Sequence, residues 1–365
     1  MTTITRGNAP GENVTSPGSI LDDTITFGNG DGDFVSAGLD IARDTISFGN
    51  GAGDYVAGFA IDFNKITFGN GDGDFVSATG EIKFDTISFR NGTGDHVAAA
   101  SATMDTNTIS FGNGDGDYVA AAVSDHNTIS FGNGTGDHVD VLSLADSTIS
   151  FGDGDGDHVT GEALEGSTVS FGDGNGDYVS AHVLGGSTIS FGDGDGDHVS
   201  ASVAQFDTII FGNGNGDAVT LASGEGLNTI ITGTGLDTVN VGNIGRLFFD
   251  TFGFALGTNG TSFTAVTGAQ VFDQVAVGNS SGIVTGSDGL GNTLVNEGTE
   301  ASSTTLALFI QAIVAMPGDT YMGNNGTDTF IFTDTANGQT GAIEIAGVFS
   351  GTNSTIFNHA LELRT

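Results

Sequence analysis

The stretch TISFGNGDGDYV, residues 108–119, decides the fold. The same pattern recurs along the chain with small changes. Its phenylalanine marks each copy, at Phe27, Phe48, Phe68, Phe89, Phe111, Phe131, Phe151, Phe171, Phe191 and Phe211. The copies follow one another at intervals of 20 to 22 residues. Segments of that length cannot bury a core of their own, because small chains leave too much surface exposed. The repetition therefore predicts a solenoid in which each copy is one coil stacked on the next.

Each copy holds two runs in which apolar and polar residues alternate, as they do in strands. In residues 45–48 (TISF), the Ile and Phe share one face and the Thr and Ser share the other. The second run surrounds residues 33–35 (DFV), where Val35 and Ala37 are expected to point inward. Going around the coil supplies the long crossover that parallel strands need. The sequence predicts an all-β fold, a parallel β-roll or β-solenoid of about ten 20-residue coils.

The charge of the chain excludes several classes of partner. Its 365 residues include 45 Asp and Glu against 7 Lys and Arg, for a formal net charge of −38. Nucleic acids and anionic lipid surfaces both need a basic face, so neither is an expected partner. No run approaches eighteen apolar residues, so membrane insertion is not expected either. The chain has no cysteine, and therefore no disulfides or thiolate metal sites. With 37% hydrophobic residues the chain can still build a core. Because Lys and Arg are so few, the carboxylates of the folded chain need another source of positive charge.

A glycine-rich turn with the pattern Gly-Asn/Asp-Gly-Xaa-Gly-Asp, here called the acidic turn, joins the two runs of each copy. Its last position, the last row, is always Asp: Asp33, Asp54, Asp74, Asp95, Asp117, Asp137, Asp157, Asp177, Asp197 and Asp217. Its first position, the first row, is Asn29, Asn50, Asn70, Asn91, Asn113, Asn133, Asp153, Asp173, Asp193 and Asn213. Its middle position, the middle row, varies and includes Asp31, Asp72, Asp115, Asp155 and Asp195. Asp and Gly are ordinary turn residues, but a bare turn does not need Asp at one position in every copy.

Stacking makes the acidic turns a predicted metal site. Equivalent carboxylates of adjacent coils lie about 5 Å apart, where two like charges repel by roughly 0.8 kcal/mol even in water. Carboxylate and carbonyl oxygens suit Ca²⁺, whereas Mg²⁺ demands a tight octahedron and keeps its waters. The Asp and Asn residues of the three rows are therefore the expected ligands of Ca²⁺ ions, roughly one per coil, with binding coupled to folding. An EF-hand is not expected, because His158 stands where that loop needs glycine.

The chain resembles the RTX (repeats-in-toxin) calcium-binding β-roll proteins, whose nonapeptide is Gly-Gly-Xaa-Gly-Xaa-Asp-Xaa-U-Xaa with U large and apolar. The best local matches are residues 224–230 (GEGLNTI) and 233–239 (GTGLDTV). The main array departs from this nonapeptide in the spacing of its glycines, and its second turn lacks them. That second turn, with Asp44, Asn64 and Asp85 at its end, is expected to be hydrogen-bonded and free of metal. The resemblance implies export from a bacterium by type I machinery, which reads an uncleaved C-terminal signal.

The flanking segments differ from the predicted calcium-binding repeats, residues 21–242. Residues 1–20 are polar and lack the cationic start and apolar stretch of a cleavable secretory signal. Residues 243–365 are expected to form a mainly β C-terminal domain that caps the solenoid and serves in assembly or secretion. Residues 301–316 are its one helix candidate, with a Ser or Thr cap and one apolar face.

No catalytic constellation is found in the sequence, so the protein is not expected to be an enzyme. His96, His138, His158 and His198 share one repeat position with Phe and Tyr. An outward strand position explains this set better than a zinc or acid–base site does. The seven cations form no evident phosphate or oxyanion clamp.

The leading expectation is a secreted, calcium-dependent structural protein of the bacterial cell surface or extracellular matrix. Solenoid ends expose unpaired strand edges, so copies of the chain are the expected partner and a layer or filament the expected assembly. Cell-surface polysaccharide is a further candidate partner. The alternative is an ice-binding or adhesin module, because outward Thr and Ser residues such as Thr128 and Ser130 form a regular hydroxyl grid. Thr and Ser are, however, also ordinary exposed strand residues.

Overall fold

The computed structural model describes residues 2–226, 228–233 and 237–241, together with the C-terminal strands given below. Every regular element among these residues is a β-strand, and the strands of the repeat copies stack in parallel into coils. Some of the C-terminal strands pair antiparallel instead, as Asp328–Asp334 does with Thr340–Ala346. The prediction of an all-β parallel β-solenoid is confirmed. The chain divides into two compact units, Met1–Val183 and Leu184–Thr365. Among the described residues, no helix has the length and apolar character needed to cross a membrane.

In the first unit, short strands form one parallel sheet, here called the short-strand sheet. Its strands are Thr3–Thr5, Thr24–Thr26, Thr45–Ser47, Lys65–Thr67, Thr86–Ser88, Thr108–Ser110, Thr128–Ser130, Thr148–Ser150 and Thr168–Ser170. Equivalent residues pair without offset, as Thr108 does with Thr128 and Ile109 with Ile129. Ile129 is fully buried and Thr128 is exposed, so the alternation in the sequence sets the inner and outer faces.

The second sheet of this unit, the long-strand sheet, follows the acidic turns. Its strands are Asn13–Ser16, Ile20–Leu21, Phe34–Ala37, Asp40–Ala42, Tyr55–Asp62, Phe75–Lys83, His96–Asp105, Tyr118–Asp125, His138–Ala145 and His158–Glu165. Most are longer than the runs read from the sequence, and they bury a further apolar residue such as Met104 or Leu144. The extra residues of the longer coils are accommodated here, because the register shifts between Ser77 and Glu81.

Residues 3–21 form a coil of their own ahead of the first repeat copy. Its two sides pair in parallel with Thr24–Thr26 and with Phe34–Ala37. The sequence predicts a separate polar segment at residues 1–20, whereas strands Thr3–Thr5, Asn13–Ser16 and Ile20–Leu21 of that segment join the same two sheets.

In the second unit the same two kinds of strand recur, and Tyr178–Gly185 begins in the first unit and ends in the second. The short strands are Thr188–Ser190, Thr208–Ile210, Thr229–Thr232, Thr251–Leu256 and Gln274–Asn279. The long strands are His198–Gln205, Ala218–Gly226, Thr238–Val241 and Phe263–Thr267. Further strands are Leu294–Thr299, Thr320–Asn324, Asp328–Asp334, Thr340–Ala346, Thr355–Phe357 and Ala360–Glu362. The helix predicted at 301–316 lies outside the described residues.

Stacked phenylalanines form the centre of the core. In the first unit the rings from Phe27 to Phe171 lie parallel, with 4.7–4.9 Å between neighbouring ring centroids. All of these rings are buried. Stacked aromatic pairs contribute about 0.5–1.5 kcal/mol each beyond the burial of their area. The repeat of Phe therefore stabilises each contact between coils by the same interaction.

A second ring ladder lies on the outer side of the long-strand sheet. It consists of Phe34, Tyr55, Phe75, His96, Tyr118, His138, His158 and Tyr178, with centroids 4.6–5.1 Å apart. Burial between their neighbours lowers the pKa of His96 and His158. The residues at this repeat position therefore share a planar ring that stacks on the next one. The sequence alone predicted only that the position faces outward.

We expect Phe111→Ala to lower the free energy of unfolding by about 3–5 kcal/mol, because it opens a cavity in the buried stack. The control is Phe59→Ala, since the Phe59 side chain is 54% exposed. That change should alter stability by about 0.5 kcal/mol or less. Denaturant unfolding followed by circular dichroism measures both variants, and equal losses would contradict a core role for the buried ladder.

Candidate functional site

The acidic turn places its three rows at two different depths. Asn113 and Asp115, in the first and middle rows, are exposed, whereas Asp117 in the last row is fully buried. The same division holds in every repeat copy. Sequence reasoning predicted that all three rows surround shared ions. The structure brings the last row into the interior and leaves the other two rows at the surface.

Each last-row carboxylate in the first unit joins its coil to the preceding one. The N–H of Asp95 donates to Oδ1 of Asp117, and the N–H of Asp117 donates to Oδ1 of Asp137, both at 2.9 Å. The series begins at Glu12, whose N–H donates to Oδ1 of Asp33 at 2.7 Å. One oxygen of each buried Asp therefore satisfies a backbone donor that the glycine-rich turn would otherwise leave without a partner.

The last row extends beyond the residues predicted from the repeat. In the second unit the N–H of Asp197 donates to Asp217, and the N–H of Asp217 donates to Asp237, at 3.0 and 3.2 Å. Asp237 belongs to the second RTX-like match, residues 233–239. Its twenty-residue distance from Asp217 is the signal that could have placed it in this row.

The first and middle rows bond in the opposite direction, toward the following coil. Oδ1 of Asn113 accepts from the N–H of Asn133 at 3.0 Å, and Oδ1 of Asp115 accepts from the N–H of Thr135 at 2.9 Å. Either Asn or Asp supplies the required oxygen, which explains why the first row contains both.

The middle row alternates strictly between Asp and an uncharged residue. Its members in order are Asp31, Ala52, Asp72, Thr93, Asp115, Thr135, Asp155, Asn175, Asp195 and Asn215. Each middle-row Asp also acts on the last row of the next coil, because the charge of Asp115 helps to raise the pKa of Asp137. The pairs Asp31/Asp54 and Asp72/Asp95 behave in the same way. The acidic turns therefore have a period of two coils, which inspection of single copies does not reveal.

In eight of the last-row carboxylates the second oxygen is buried and has no hydrogen-bond partner. This holds for Oδ2 of Asp33, Asp54, Asp74, Asp95, Asp117, Asp137, Asp157 and Asp217. This Oδ2 lies against the acidic turn of its own coil, since a Cβ placed on Gly134 would lie 3.1 Å from Oδ2 of Asp137. A buried carboxylate oxygen without a donor is costly, and a proton or a cation relieves that cost.

Burial raises the pKa of the last-row carboxyls, because loss of solvent disfavours the charged form. The pKa rises to about 8 at Asp74, Asp117 and Asp157, to about 7 at Asp95, and to about 6 at Asp54, Asp137 and Asp177. Hydrogen bonds from the backbone oppose this rise in pKa. Near neutral pH, the row is therefore a mixture of protonated and ionised carboxyls.

The second turn forms the hydrogen-bonded edge that the sequence predicts. The N–H of Asp44 donates to Oδ1 of Asn64 at 2.9 Å, and the N–H of Asn64 donates to Oδ1 of Asp85. The residue before each of these has a positive φ, as at Phe63 and Phe84. Burial raises the pKa of Asp85 to about 8.

The donor set of the acidic turn suits a hard cation such as Ca²⁺. It offers only oxygen ligands, and in the eight coils named above one buried carboxylate oxygen has no donor. The turn carboxylates do not, however, converge in groups of three. Within the described part of the chain, the only three His, Asp or Glu residues with ligating atoms within 4.8 Å of one another are Asp105, Asp125 and His126, beside the second turn. There Nδ1 of His126 lies 2.9 Å from Oδ1 of Asp125. A cation at the acidic turns would be held by last-row oxygens and by the exposed rows.

Comparisons with protein-family models, curated proteins and solved structures find no match to this chain. The fold and the turns define an acidic β-solenoid repeat protein. Its function must be inferred from the turns and the sheets themselves.

The turn glycines make different contributions. A Cβ on Gly114 would overlap the carbonyl oxygen of Gly92 in the preceding coil, whereas Gly116 has open space but a φ of +70°. We expect Gly114→Ala to lower the free energy of unfolding by about 3 kcal/mol, because the backbones could no longer approach. Gly116→Ala should cost about 1 kcal/mol, the penalty of a left-handed alanine. Denaturant unfolding compares the two, and a larger loss for Gly116→Ala would contradict this account.

Without bound cations, we expect stability to fall as the pH rises from about 4 to about 8. The last-row carboxyls have folded pKa values above the ordinary value of about 3.9, so the folded state binds more protons than the unfolded state over this range. The free energy of unfolding then decreases with rising pH. The half-buried His96 and His158, whose pKa is lowered, act in the opposite direction, but only below about pH 6.5 and as single groups against a whole row. Denaturation in chelator at several pH values measures the trend.

Asp117→Asn is the matched variant for this measurement. It retains an oxygen acceptor for the N–H of Asp95 and removes one buried ionisable group. We expect it to be more stable than the wild type at pH 8 and to show a weaker dependence on pH. Asp117→Ala, which leaves that N–H without an acceptor, should lose about 1–3 kcal/mol. A wild-type stability that increases between pH 4 and pH 8 would overturn the assignment.

Proposed function

We propose that this protein is a secreted, calcium-dependent structural β-solenoid of the bacterial cell surface or extracellular matrix. The observation that carries the proposal is the last row of buried carboxylates, in which the second oxygen of the eight Asp residues named above has no hydrogen-bond donor. Such a column needs positive charge, and the formal net charge of −38 shows that Lys and Arg do not supply it. No catalytic role is proposed.

Protons and calcium ions are alternative sources of that charge. At acid pH the raised pKa values keep the last row protonated and neutral. At neutral or alkaline pH the carboxyls ionise, and a divalent cation has to replace the protons. Calcium is scarce in the cytosol and plentiful outside the cell, so a chain with this requirement would complete its folding after export.

The two-coil period of the middle row favours one ion for every two coils. A site that combines a middle-row Asp with the last-row Asp of the next coil would recur with the pairs Asp31/Asp54 and Asp72/Asp95. This stoichiometry is lower than the one ion per coil expected from single copies. The alternation also keeps middle-row carboxylates from neighbouring one another, which reduces repulsion between coils.

Calcium titration of the chelated protein at pH 8 tests the proposal. We expect the far-ultraviolet β signal to be weak in excess chelator and to be restored by Ca²⁺ but much less by Mg²⁺. Lowering the pH to about 5 in chelator should restore part of the signal, because protons substitute for the ion. Equilibrium dialysis of the same samples gives the number of ions bound, and sizing reports self-association.

Asp137→Asn and Glu162→Gln provide a matched pair for this titration, because each removes one carboxylate charge. Asp137 is fully buried in the last row, whereas Glu162 is exposed on the long-strand sheet. Asp137→Asn should reduce the number of bound ions or shift the titration, and Glu162→Gln should leave it unchanged. A full β signal in excess chelator at pH 8 would refute the calcium requirement.

Ice binding is the second candidate, favoured by the register of the short-strand sheet. Thr108 pairs directly with Thr128, and Ser110 with Ser130, so the outward hydroxyls form an ordered grid. The charged Lys65 interrupts the Thr column. Thermal hysteresis of the folded protein separates the two functions.

A further inference from the structure

The coil formed by residues 3–21 differs from the repeat copies at its turn. Residues 7–12 read GNAPGE where the next coil reads GNGDGD at residues 28–33. The two turns have the same conformation. The N–H of Gly11 donates to the carbonyl of Asp31 at 2.9 Å, as the N–H of Gly32 does to Ala52, and both glycines have a φ near +70°.

Ala9 occupies a position that is glycine in all ten repeat copies. At Gly30, Gly51 and Gly114 a Cβ would overlap the carbonyl oxygen of the preceding coil. The Cβ of Ala9 therefore fills the space in which the backbone of another coil would have to lie. The first glycine of the turn is less strict, since Arg90 replaces it in one copy, whereas the second glycine is present in all ten.

Pro10 and Glu12 alter the bonding of the same turn. In repeat copies the middle-position N–H donates to the preceding coil, as Thr135 does to Asp115. Proline has no N–H and makes no such bond. Glu12 stands in the last-row position, where repeat copies have the Asp that accepts from the preceding backbone. Instead, its carboxylate folds over its own turn, within 4 Å of where a Cβ of Gly7 would lie.

Both ring ladders also end at this coil. Arg6 takes the register position of Phe27, and its guanidinium donates to the carbonyl of Asn13 at 3.2 Å. Asn13 in turn pairs with Phe34, the first ring of the outer ladder. Polar side chains thus replace the two aromatic columns at this face.

We propose that residues 3–21 are a capping coil, whose outer face excludes a further coil of this type, including one from a second copy of the chain. Three features exclude a further coil. The Cβ of Ala9 blocks its backbone, Pro10 has no N–H to donate to it, and polar side chains stand in place of both ring columns. This inference goes beyond the proposed function because it holds with or without calcium. Self-assembly of the protein then uses other surfaces. Terminal repeats with a polar outer face are a general requirement for soluble solenoids.

A full-length variant that restores the repeat residues tests the cap. Arg6→Phe, Ala9→Gly, Pro10→Asp and Glu12→Asp together convert residues 6–12 to the sequence type of residues 27–33. We expect sedimentation velocity to show a mass that rises with concentration to at least about twice that of the wild type. The control, Thr79→Phe, adds an exposed ring on the long-strand sheet and should not associate. Circular dichroism checks that each variant is folded.

Hydrogen exchange of the wild-type protein provides a second readout that needs no variant. The amides of residues 3–12 should exchange at the same rate at low and high protein concentration. Both measurements are made with Ca²⁺ and at pH 5 in chelator, so a failure of calcium binding does not obscure the result. A folded variant with the wild-type mass, or wild-type amides that become protected at high concentration, would overturn the proposal.

Discussion

The structure depends on a buried carboxylate that holds each coil to the one before it. One oxygen of each last-row Asp accepts a hydrogen bond from the backbone N–H of the preceding coil, as Oδ1 of Asp117 does from Asp95. The glycine-rich turn has few side chains that could accept hydrogen bonds from its own backbone N–H groups. The last-row carboxylate supplies that acceptor at the turn that joins the two sheets. The same bond holds a carboxylate out of water, and this burial raises the pKa of the carboxyl group.

The remaining features of the turn limit the consequences of burying so many acids. First-row and middle-row oxygens bond toward the following coil, so both neighbours of each turn are held. The middle row places Asp in every second coil, which keeps like charges apart. The buried Phe stack adds dispersion and apolar burial to every contact between coils.

The coil of residues 3–21 differs from the repeat copies at the positions that allow one coil to stack on another. The repeat copies have glycine where the backbone of the preceding coil comes close, whereas the coil of residues 3–21 has Ala9 at the equivalent position. Arg6 takes the register position that a buried Phe occupies in the repeat copies. Ala9 is thus equivalent to Gly30, and Arg6 is equivalent to Phe27.

The sequence by itself determined the repeat, the strand faces and the importance of the last row, because alternation in TISF and an invariant Asp are local patterns that need no partner to interpret. It also predicted the hydrogen-bonded second turn. Only the tertiary structure decided that the last row points inward, that Asp237 and residues 3–21 join the stack, and that the outer His and Tyr form one ladder. These features depend on which residues of different coils lie against each other. Burial and register are properties of the stack, and a single copy of the repeat does not contain them.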